Sequence, residues 1–315
     1  MSLKINATMM ADQTISLDDR MIYYPKGIID INSNILWNQG YEGDGIKVGV
    51  IDSGIFKHPD LGNRVVYSRN FTNSKTIGQA HGTHVAGTIG ANGRIKGVMP
   101  KCLFYSFQIL DQNGDGNNSD FSLAIDDAIK MNVDIINMSI GSQSSDILIS
   151  NSVKKAYNAG IIMIAAAGNE GSNTVLYPGA LDQVVSVGNY NGSTNLINGS
   201  SSTNRYVDCC APGTNILSLG LGPNQYLIYS GTSMATPHVT GICGLYLEMS
   251  RKINPGYNRY QHRDYVMYML YSNVIDKGPQ GRDDIYGKGL VRYQPGTTPY
   301  IKNEGTSYYS YFSRR

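Results

Sequence analysis

The sequence predicts an α/β protein of three layers, in which a mostly parallel central sheet carries helices on both faces. From residue 46 onward, short apolar and β-branched runs alternate with longer segments of helical periodicity. The short runs lack polar alternation, which is typical of parallel strands buried on both faces. The longest of them, residues 161–167, is far shorter than the roughly 20 residues needed to cross a bilayer.

Each apolar run is predicted as a strand, and each amphipathic segment as a helix. The predicted strands are 47–51, 103–109, 133–138, 161–166 and 184–187. The predicted helices are 119–131, 147–158, 233–249 and 262–274. Pro237 is assigned to the first turn of the third helix, where its missing N–H costs nothing, so this helix is predicted to begin near Ser233.

The chain is predicted to fold as one domain between two terminal segments. No linker interrupts residues 40–293, no repeat or low-complexity tract is found, and the predicted domain spans residues 25–294. Residues 1–24 are polar and weakly patterned, and residues 295–315 combine Pro and Gly with a Tyr-rich end. Both segments are predicted to be tails, because disorder concentrates at chain termini.

The charge balance argues against two classes of partner. Lys and Arg number 26 against 24 Asp and Glu, which leaves a formal charge of +2. Proteins that bind nucleic acid or a membrane surface need a pronounced basic excess, so neither partner is expected. The composition indicates no oligomeric state.

The four cysteines indicate a reducing compartment. Cys102, Cys209, Cys210 and Cys243 show no framework spacing, and neighbours in sequence rarely pair with each other. The sequence therefore predicts reduced thiols and a cytoplasmic location. Secretion is the alternative, if a signal and a propeptide precede these residues.

Asp52 follows the first predicted strand directly, in the sequence Asp52-Ser53-Gly54. Ligands of open parallel sheets gather at the carboxyl ends of strands, so an acid at this point is a candidate functional group. The alternative is a turn or helix-capping Asp, which is the commoner role of an isolated Asp-Ser-Gly sequence.

Two histidines lie three residues apart in His81-Gly82-Thr83-His84. A zinc site is a poor interpretation, because no third ligand is nearby and no Glu stands beside His81. We expect His81 to face a cleft. We expect His84 to pack in the core with the small residues around it.

Ser233 lies at the predicted amino end of an apolar helix, within residues 231–239. Free N–H groups and the helix dipole at such an end favour negative charge, as on the oxyanion that forms when a hydroxyl attacks an acyl group. The alternative role of a serine at this point is a helix N-cap.

Taken together and in this order, three segments resemble the signatures of the subtilisin family of serine proteases, the subtilases. They are Asp52-Ser53-Gly54, residues 81–88 (HGTHVAGT) and residues 231–238 (GTSMATPH). The order Asp, His, Ser separates this family from chymotrypsin-like and α/β-hydrolase enzymes. The resemblance covers about residues 25–293, implies the subtilisin-like fold, and assigns Asp52, His81 and Ser233 to a catalytic triad.

These three residue types suit acyl transfer. A serine hydroxyl is a weak nucleophile near neutral pH, so an imidazole must take its proton and a carboxylate must hold that imidazole in the right tautomer. The resemblance thus implies a serine endopeptidase that cleaves polypeptides through an acyl-enzyme. A non-catalytic peptide-binding scaffold is the alternative. An esterase of the α/β-hydrolase type is disfavoured, since no Gly-x-Ser-x-Gly surrounds Ser233.

The same resemblance assigns the groups around the triad. Asn169 and the N–H of Ser233 would form the oxyanion hole. Two edges, Gly114-Asp115-Gly116 and Ser139-Ile140-Gly141, would pair with an extended peptide as an added strand. The other substrate-binding positions that the resemblance implies are Ala166, Gly168 and Thr232.

Two positions depart from many relatives and bear on specificity. Leu176 stands where many relatives have Gly at the base of the S1 pocket, which predicts a shallower pocket for small or medium side chains. Asn118 stands where relatives often carry an aromatic residue lining S4, which predicts a weaker apolar preference there.

Catalysis of this kind needs no cofactor, and structural calcium is the remaining question. Residues 111–116 begin like an EF-hand loop, but Ser122 stands where the bidentate Glu is required. By resemblance, Asp60 matches one calcium ligand of the family. Residues 89–96 form a shorter stretch than the family's calcium loop, so the main site is expected to be absent, with Asp60 as the candidate ligand for a weaker one.

The N-terminal extension is closest in layout to that of the intracellular subtilisins. Secreted relatives carry a large folded propeptide, whereas 24 residues precede Pro25 here. By this resemblance, residues 1–24 are expected to restrain activity until they are removed.

Overall fold

The computed structural model describes residues 2–4, 8–18, 21–75, 78–171 and 173–297. Its strands are β1 Ser2–Lys4, β2 Thr8–Ile15, β3 Lys47–Asp52, β4 Val65–Asn70, β5 Leu103–Gln108, β6 Asp115–Asn117, β7 Ile135–Met138, β8 Ile162–Ala166, β9 Val185–Asn191, β10 Leu196–Ile197, β11 Cys209–Pro212, β12 Ile216–Leu219, β13 Tyr226–Ser230, β14 Val274–Ile275 and β15 Leu290–Val291. Its α-helices are α1 Lys26–Asp30, α2 Ser33–Asn38, α3 Ala80–Gly90, α4 Asn118–Lys130, α5 Ile147–Asn158, α6 Thr232–Ile253 and α7 Arg259–Ser272. A 3₁₀ helix spans Pro59–Leu61.

The predicted α/β class with a mostly parallel central sheet is confirmed. The strand order is β14-β15-β11-β9-β8-β7-β3-β5-β4, and β10 pairs with β9 outside this path. Within the described ranges, all pairings from β15 across to β4 are parallel, while β14 and β10 pair antiparallel. Because β3, β7 and β8 are neighbours, their carboxyl ends meet at one edge of the sheet.

Buried residues of each central strand alternate between two hydrophobic clusters, one on each face of the sheet. In β8, Ile162 and Ile164 pack into the cluster that includes α3, α6 and α7, and Met163 and Ala165 pack into the cluster that includes α4 and α5. This burial on both faces explains why the strands are apolar without a polar period of two.

The predicted helices are confirmed, with shifts at some ends. The last one begins at Arg259 rather than at residue 262, because the Asn258 side chain accepts the backbone N–H of Gln261 and the Gln261 side chain accepts that of Asn258. This capping box is readable in the sequence as Asn258 followed three residues later by Gln261. In the part of the chain that is described, no helix combines the length and apolar character of a membrane span.

The N-terminal segment, expected to be a weakly patterned tail, contributes two strands. Strand β1 pairs antiparallel with β6, and Leu3 lies opposite Gly116. Strand β2 pairs antiparallel with β13 and forms the third strand of the small sheet β12-β13-β2. Pairing with strands more than 100 residues away leaves no local signal in sequence, which is why the pattern of this segment did not predict strands.

The carboxyl end of the described chain docks beside the first helices. The Tyr293 N–H donates to the Ile31 carbonyl at 3.0 Å, and Asn32 Nδ2 donates to the Tyr293 carbonyl at 2.9 Å. The Tyr-rich part of the predicted tail, residues 298–315, lies outside the described residues.

Candidate active site

The carboxyl end of β3 holds an acid against the start of α3. Asp52 is the last residue of β3 and is fully buried, and His81 is the second residue of α3 and 5% exposed. His81 Nδ1 lies 2.8 Å from Asp52 Oδ1, which also accepts the Ser53 N–H at 2.7 Å. Because the carboxylate accepts the proton of Nδ1, the neutral imidazole carries its lone pair on Nε2. His81 is thereby oriented to accept a proton at Nε2.

Two glycines allow the acid and the helix to lie this close. A Cβ atom at Gly82 would lie 2.3 Å from the Gly54 carbonyl oxygen and 3.1 Å from Asp52 Oδ1. Gly54 has a φ of +84°, a conformation that L-residues rarely adopt. The glycines of the first two motifs therefore bring the turn after β3 against α3.

Ser233 is the second residue of α6 and is 1% exposed. Its Oγ donates to the Ser139 carbonyl at 3.1 Å, and Ser139 Oγ donates to the Ser233 carbonyl at 2.9 Å. These two bonds fix the start of α6 to the residue that follows β7. Among the described residues, Asp52 and His81 are joined by a hydrogen bond, whereas none joins Ser233 Oγ to His81.

The assignment of Pro237 to the first turn of its helix is wrong. Helix α6 begins at Thr232, so Pro237 is its sixth residue. A regular helix would use the N–H of residue 237 as the donor to the Ser233 carbonyl, and proline has none. The Ser139 hydroxyl supplies the missing donor instead.

Two residues outside the sequence motifs, Asn137 and Thr240, hold Ser139 in place. Asn137 Nδ2 donates to Ser139 Oγ at 3.0 Å, and Thr240 Oγ1 donates to Asn137 Oδ1 at 2.8 Å. Asn137 and Thr240 are fully buried. The signal was available, because an Asn within the apolar run Ile135–Met138 must find hydrogen-bond partners inside the protein.

Asn169 follows β8 at the same edge of the sheet. Gly168, with a φ of +115°, turns the chain after the strand, whose last residue is Ala166. Asn169 Oδ1 accepts the Thr232 N–H at 2.9 Å and the Thr232 hydroxyl at 3.2 Å. An N–H must face an oxygen, so these contacts fix the amide with Nδ2 on the other side. Nδ2 is buried and has no hydrogen-bond partner among the described residues.

His81 Nε2 and Asp52 Oδ2 are likewise buried without a hydrogen-bond partner in the described part of the chain. Buried polar atoms are usually satisfied, and each exception needs an explanation. At this edge the three exceptions are one base, one acceptor and one donor. An attacking hydroxyl would need the acceptor His81 Nε2, and an oxyanion would need the donor Asn169 Nδ2, whereas Asp52 Oδ2 belongs to the carboxylate that orients His81.

The two predicted substrate edges lie on different elements. Gly114 has a φ of +77° in the turn before β6, and Gly116 lies within β6. Residues 139–141 follow β7, and Ser142 then exchanges two hydrogen bonds of 2.8 Å with Tyr177. In the described structure, the β6 edge is paired with β1 of the N-terminal segment.

Leu176 lies against two glycines, Gly141 and Gly168, that the resemblance assigns to substrate binding. It is 1% exposed, and a Cβ atom at Gly141 or Gly168 would lie 2.6 or 2.7 Å from its side chain. Asn118, the first residue of α4, is 7% exposed. Asp146, at the start of α5, has a lowered pKa because it accepts hydrogen bonds. The backbone N–H of Leu148 has the largest effect, and the Asn118 side chain has a smaller one.

His84 packs in the core, as predicted. It is fully buried, donates from Nε2 to the Ile216 carbonyl at 2.9 Å and stacks on Tyr229 at 4.8 Å between ring centroids. Desolvation lowers the pKa of His84 to about 3, so the ring is neutral at physiological pH.

Asp60, the candidate calcium ligand, has protein partners. Its Oδ2 accepts the Ile95 N–H at 3.1 Å and the Tyr226 hydroxyl at 3.3 Å. In the described ranges, no group of three or more His, Cys, Asp or Glu side chains could hold a metal ion. Asp60 instead joins the loop after α3 to β13, the strand that leads to Ser233.

A parallel α/β sheet whose carboxyl edge carries an Asp–His pair, a helix-terminal Ser and a free amide donor defines the class of serine hydrolases. The profile of the subtilase family matches residues 43–289. The chain therefore belongs to the subtilase family and is a subtilisin-like serine endopeptidase. Catalysis in this family requires no cofactor.

Named relatives support this assignment. The chain is 40% identical over 268 residues to the minor extracellular protease Epr of Bacillus subtilis. The matched region covers 83% of this chain and 40% of Epr. It is 40% identical over 280 residues to a subtilisin of Bacillus pumilus, covering 86% of this chain and 97% of that protein. A thermostable alkaline protease of Halalkalibacterium halodurans is 36% identical over 298 residues, covering 92% of this chain and 75% of the relative.

Proposed function

We propose that the protein cleaves peptide bonds of extended polypeptides with Asp52, His81 and Ser233, and that Asn169 stabilises the oxyanion. The observation that carries this proposal is the 2.8 Å contact between His81 Nδ1 and Asp52 Oδ1, with His81 Nε2 and Asn169 Nδ2 both buried and lacking a hydrogen-bond partner among the described residues. A base without its proton donor and a donor without its acceptor match the two ends of a reacting acyl group.

The reaction begins when Ser233 Oγ transfers its proton to His81 Nε2 and bonds to the substrate carbonyl carbon. The carbonyl oxygen becomes negative and accepts hydrogen bonds from Asn169 Nδ2 and the Ser233 N–H. His81 then gives its proton to the leaving amine, and the C–N bond breaks to leave an acyl-enzyme. Water repeats the sequence, with His81 as the base, and releases the acid. Asp52 stays ionised throughout and stabilises the imidazolium.

Ser233 must exchange one hydrogen bond before this step. Its Oγ donates to the Ser139 carbonyl at 3.1 Å. Residues 139–141 form one of the edges proposed to bind the peptide backbone, so a peptide arriving there meets the group that holds the hydroxyl. We expect the hydroxyl to turn to His81 Nε2 when the peptide binds, because catalytic hydrogen bonds tighten in the substrate complex.

A sulfonyl fluoride tests this proposal against the alternative of a non-catalytic scaffold. Such a reagent sulfonylates an activated serine, because the serine oxygen bonds to sulfur and fluoride leaves. Intact-protein mass spectrometry with peptide mapping is expected to find one adduct, on Ser233. The matched control is Ser152→Ala, which removes a buried hydroxyl on α5 that donates to Ser122 and should retain the adduct. A folded protein that hydrolyses casein but carries its adduct elsewhere would refute the assignment of Ser233. Absence of both adduct and hydrolysis in a protein freed of its N-terminal segment would favour the scaffold.

Leu176 is proposed to restrict the S1 pocket to small or medium side chains. Its side chain fills the space between Gly141 and Gly168, where a larger P1 side chain would need to enter. The Leu176→Gly variant should raise kcat/KM for a Phe peptide relative to an Ala peptide by about tenfold or more, the value of one to three buried methylenes. An unchanged ratio, or a preference for Phe in the parent protein, would contradict this role.

Asn118 is proposed to weaken the apolar preference at S4. The residue is buried and its side chain contacts Asp146, so a polar group contributes to the wall of this subsite. Asn118→Leu should raise kcat/KM for peptides with an apolar P4 side chain, and a series of P4 variants measures this change. An equal effect on every P4 side chain would indicate a change in folding rather than in the subsite.

We also propose that residues 1–24 restrain activity. Strand β1 pairs with β6, one of the edges proposed for substrate, and β2 pairs with β13, which leads to Ser233. A protein beginning at Pro25 should hydrolyse casein faster than the full chain. A second variant without residues 2–4 separates the two strands, because it frees β6 and retains β2. If neither variant gains activity, the extension does not inhibit.

The location is proposed to be the cytoplasm. The four cysteines are buried free thiols, which a reducing compartment preserves. The relative Epr is named as an extracellular protease, so secretion is the competing proposal. Fractionation of the source cells, with immunodetection in the medium and in the lysate, decides between them. Nothing in the charge balance favours nucleic acid or a membrane as a partner, and polypeptides are the proposed substrates.

A further inference from the structure

A pocket with an excess of positive charge lies at the end of the sheet opposite the proposed catalytic groups. Its volume is about 220 Å³, and its floor includes Gly160 and Ile162, at the amino end of β8. Asp52, Ser139 and Asn169 follow the carboxyl ends of their strands. A ligand in this pocket would therefore be separated from the substrate by the length of the central strands.

Three guanidinium groups line the pocket with one carboxylate. Arg251 comes from α6, Arg259 and Arg263 come from α7, and Asp134 precedes β7. With a neutral His262, the lining carries two positive charges in excess. Like charges gathered in a concave site raise the affinity for an anion.

The carboxylate is already committed to its own contacts. Asp134 receives two hydrogen bonds from Arg251, at 2.5 and 3.2 Å, and one from the Lys47 N–H at 3.0 Å. Arg259 lies 4.0 Å from the same carboxylate and donates to Asn132 and to the Val133 carbonyl. Burial lowers the pKa of Arg259. The negative charge of Asp134 raises this pKa, and the positive charge of Arg251 lowers it further. The positive charge of Arg259 is therefore only partly compensated.

Arg263 has no carboxylate partner among the described residues. Its guanidinium donates to the Tyr157 carbonyl at 2.8 Å and stacks on the Tyr157 ring at 3.9 Å and on the Tyr260 ring at 5.6 Å. Two aromatic rings thus fix the plane of the group, and within the described ranges its guanidinium donates one hydrogen bond, to the Tyr157 carbonyl. A fixed fork of donors loses little entropy when it binds an oxyanion.

We propose that this pocket binds a phosphate group, as inorganic phosphate or as a small phosphomonoester. A phosphate dianion matches the two excess charges, and its tetrahedral oxygens can accept from guanidinium groups that approach from α6 and α7 in different directions. A carboxylate carries a single negative charge and would leave one of the two excess charges uncompensated.

Thermal unfolding of the full chain at pH 8 tests the proposal. Inorganic phosphate and glycerol phosphate should each raise the unfolding midpoint in a saturable manner. Sodium chloride at equal ionic strength should not. If only glycerol phosphate acts, the ligand is a phosphomonoester, and if both act equally, the phosphate group alone is read. A response to chloride equal to that of phosphate would overturn the proposal.

Variants locate the binding. Arg259→Gln and Arg263→Gln should each weaken phosphate binding by about tenfold, the usual value of one charge-assisted contact. Arg205→Gln is the matched control, because Arg205 also stacks on a tyrosine, Tyr206, but is exposed and outside the pocket. If the Gln variants fold poorly, Arg259→Lys and Arg263→Lys keep the charge and lose the fork. The double variant combines Arg259→Gln with Arg263→Gln, or the two Lys changes if the Gln variants do not fold. If its phosphate affinity equals that of the parent protein, the ion binds elsewhere and the proposal is overturned.

Discussion

The two ends of the central strands treat their buried polar groups differently. At the carboxyl ends, Asp52 Oδ2, His81 Nε2 and Asn169 Nδ2 are buried without partners in the described part of the chain. At the amino ends, both oxygens of Asp134 are bound, by Arg251 and by the backbone of Lys47. Leaving a buried group unpaired costs stability, and pairing it recovers most of that loss. Substitutions at the first end should therefore change catalysis, and substitutions at the second should change stability.

The largest expected effect is the loss of the proposed nucleophile, Ser233. Ser233→Ala should lower kcat by about 10⁶-fold, a magnitude measured in a subtilisin and taken over here. Its free energy of unfolding should change by only about 1 kcal/mol, since one hydrogen bond to the Ser139 carbonyl is lost. Single-turnover hydrolysis of a chromogenic peptide and urea unfolding measure the two quantities. A large loss of stability with the same loss of activity would break the comparison.

Deleting the free donor should have the next largest effect. Asn169→Ala should lower kcat by about 10²–10³-fold with little change in KM, again a magnitude from a subtilisin. This variant also removes the acceptor of Thr232, so Asn169→Asp serves as its companion, because it keeps an oxygen for Thr232 and loses the donor. If Asn169→Asp retained full kcat, the oxyanion would have to be stabilised by other groups.

Acid should destabilise the whole domain through its buried histidines. Desolvation lowers the pKa of His84 to about 3 and that of His238 to about 4. In the unfolded chain both histidines have an ordinary pKa of about 6.5, so they bind protons between pH 6.5 and about 4, where the folded chain keeps them neutral. Their contribution to the free energy of unfolding is therefore complete above pH 6.5 and is lost as the pH falls. The loss is about 2 kcal/mol for the pair between pH 6.5 and 5.5.

Urea unfolding at pH 8, 6.5 and 5.5 measures this slope. Burial also lowers the pKa of His58 and of His262, so both add to the slope in the same direction. His84→Gln should flatten the slope below pH 6.5. An unchanged slope in this variant would show that other groups cause the acid sensitivity.

The smallest expected effect lies at the amino ends of the strands. Asp134→Ala should lower the free energy of unfolding by roughly 1–2 kcal/mol, a value reduced for solvent screening because the Arg251 side chain is 38% exposed. Its kcat should stay at the parent value. Asp126→Ala is the control, since Asp126 pairs with Lys155 on the surface and should contribute less than about 0.5 kcal/mol. A fall in kcat would show that the two ends are coupled.

Sequence alone predicted the layers of the fold and the positions along the chain of five central strands and four helices. These features depend on local patterns, as in the apolar run that becomes β3 and in the helical spacing of α4. The assignment of Asp52, His81 and Ser233 came from short motifs that a family resemblance connected. Periodicity could not connect them, because it does not reveal which distant segments meet.

The features that were missed are non-local. The pairing of β1 with β6 and of β2 with β13 joins segments far apart in sequence, and the antiparallel partner leaves no trace in the pattern of residues 1–24. The role of Asn137 depends on Thr240, which lies 103 residues later. The arginine pocket likewise gathers side chains from α6 and α7 against the residues before β7 and β8.

The missing hydrogen on Pro237 has a mechanical consequence. Because α6 lacks the hydrogen bond that residue 237 would donate, the carbonyl of Ser233, its second residue, accepts a hydrogen bond from the Ser139 hydroxyl. Ser139 follows the carboxyl end of β7. The helix that carries Ser233 and the backbone proposed to guide a peptide are therefore joined to each other. A shift of either one should move the other, so Pro237 would help to align the proposed nucleophile without taking a direct part in the chemistry.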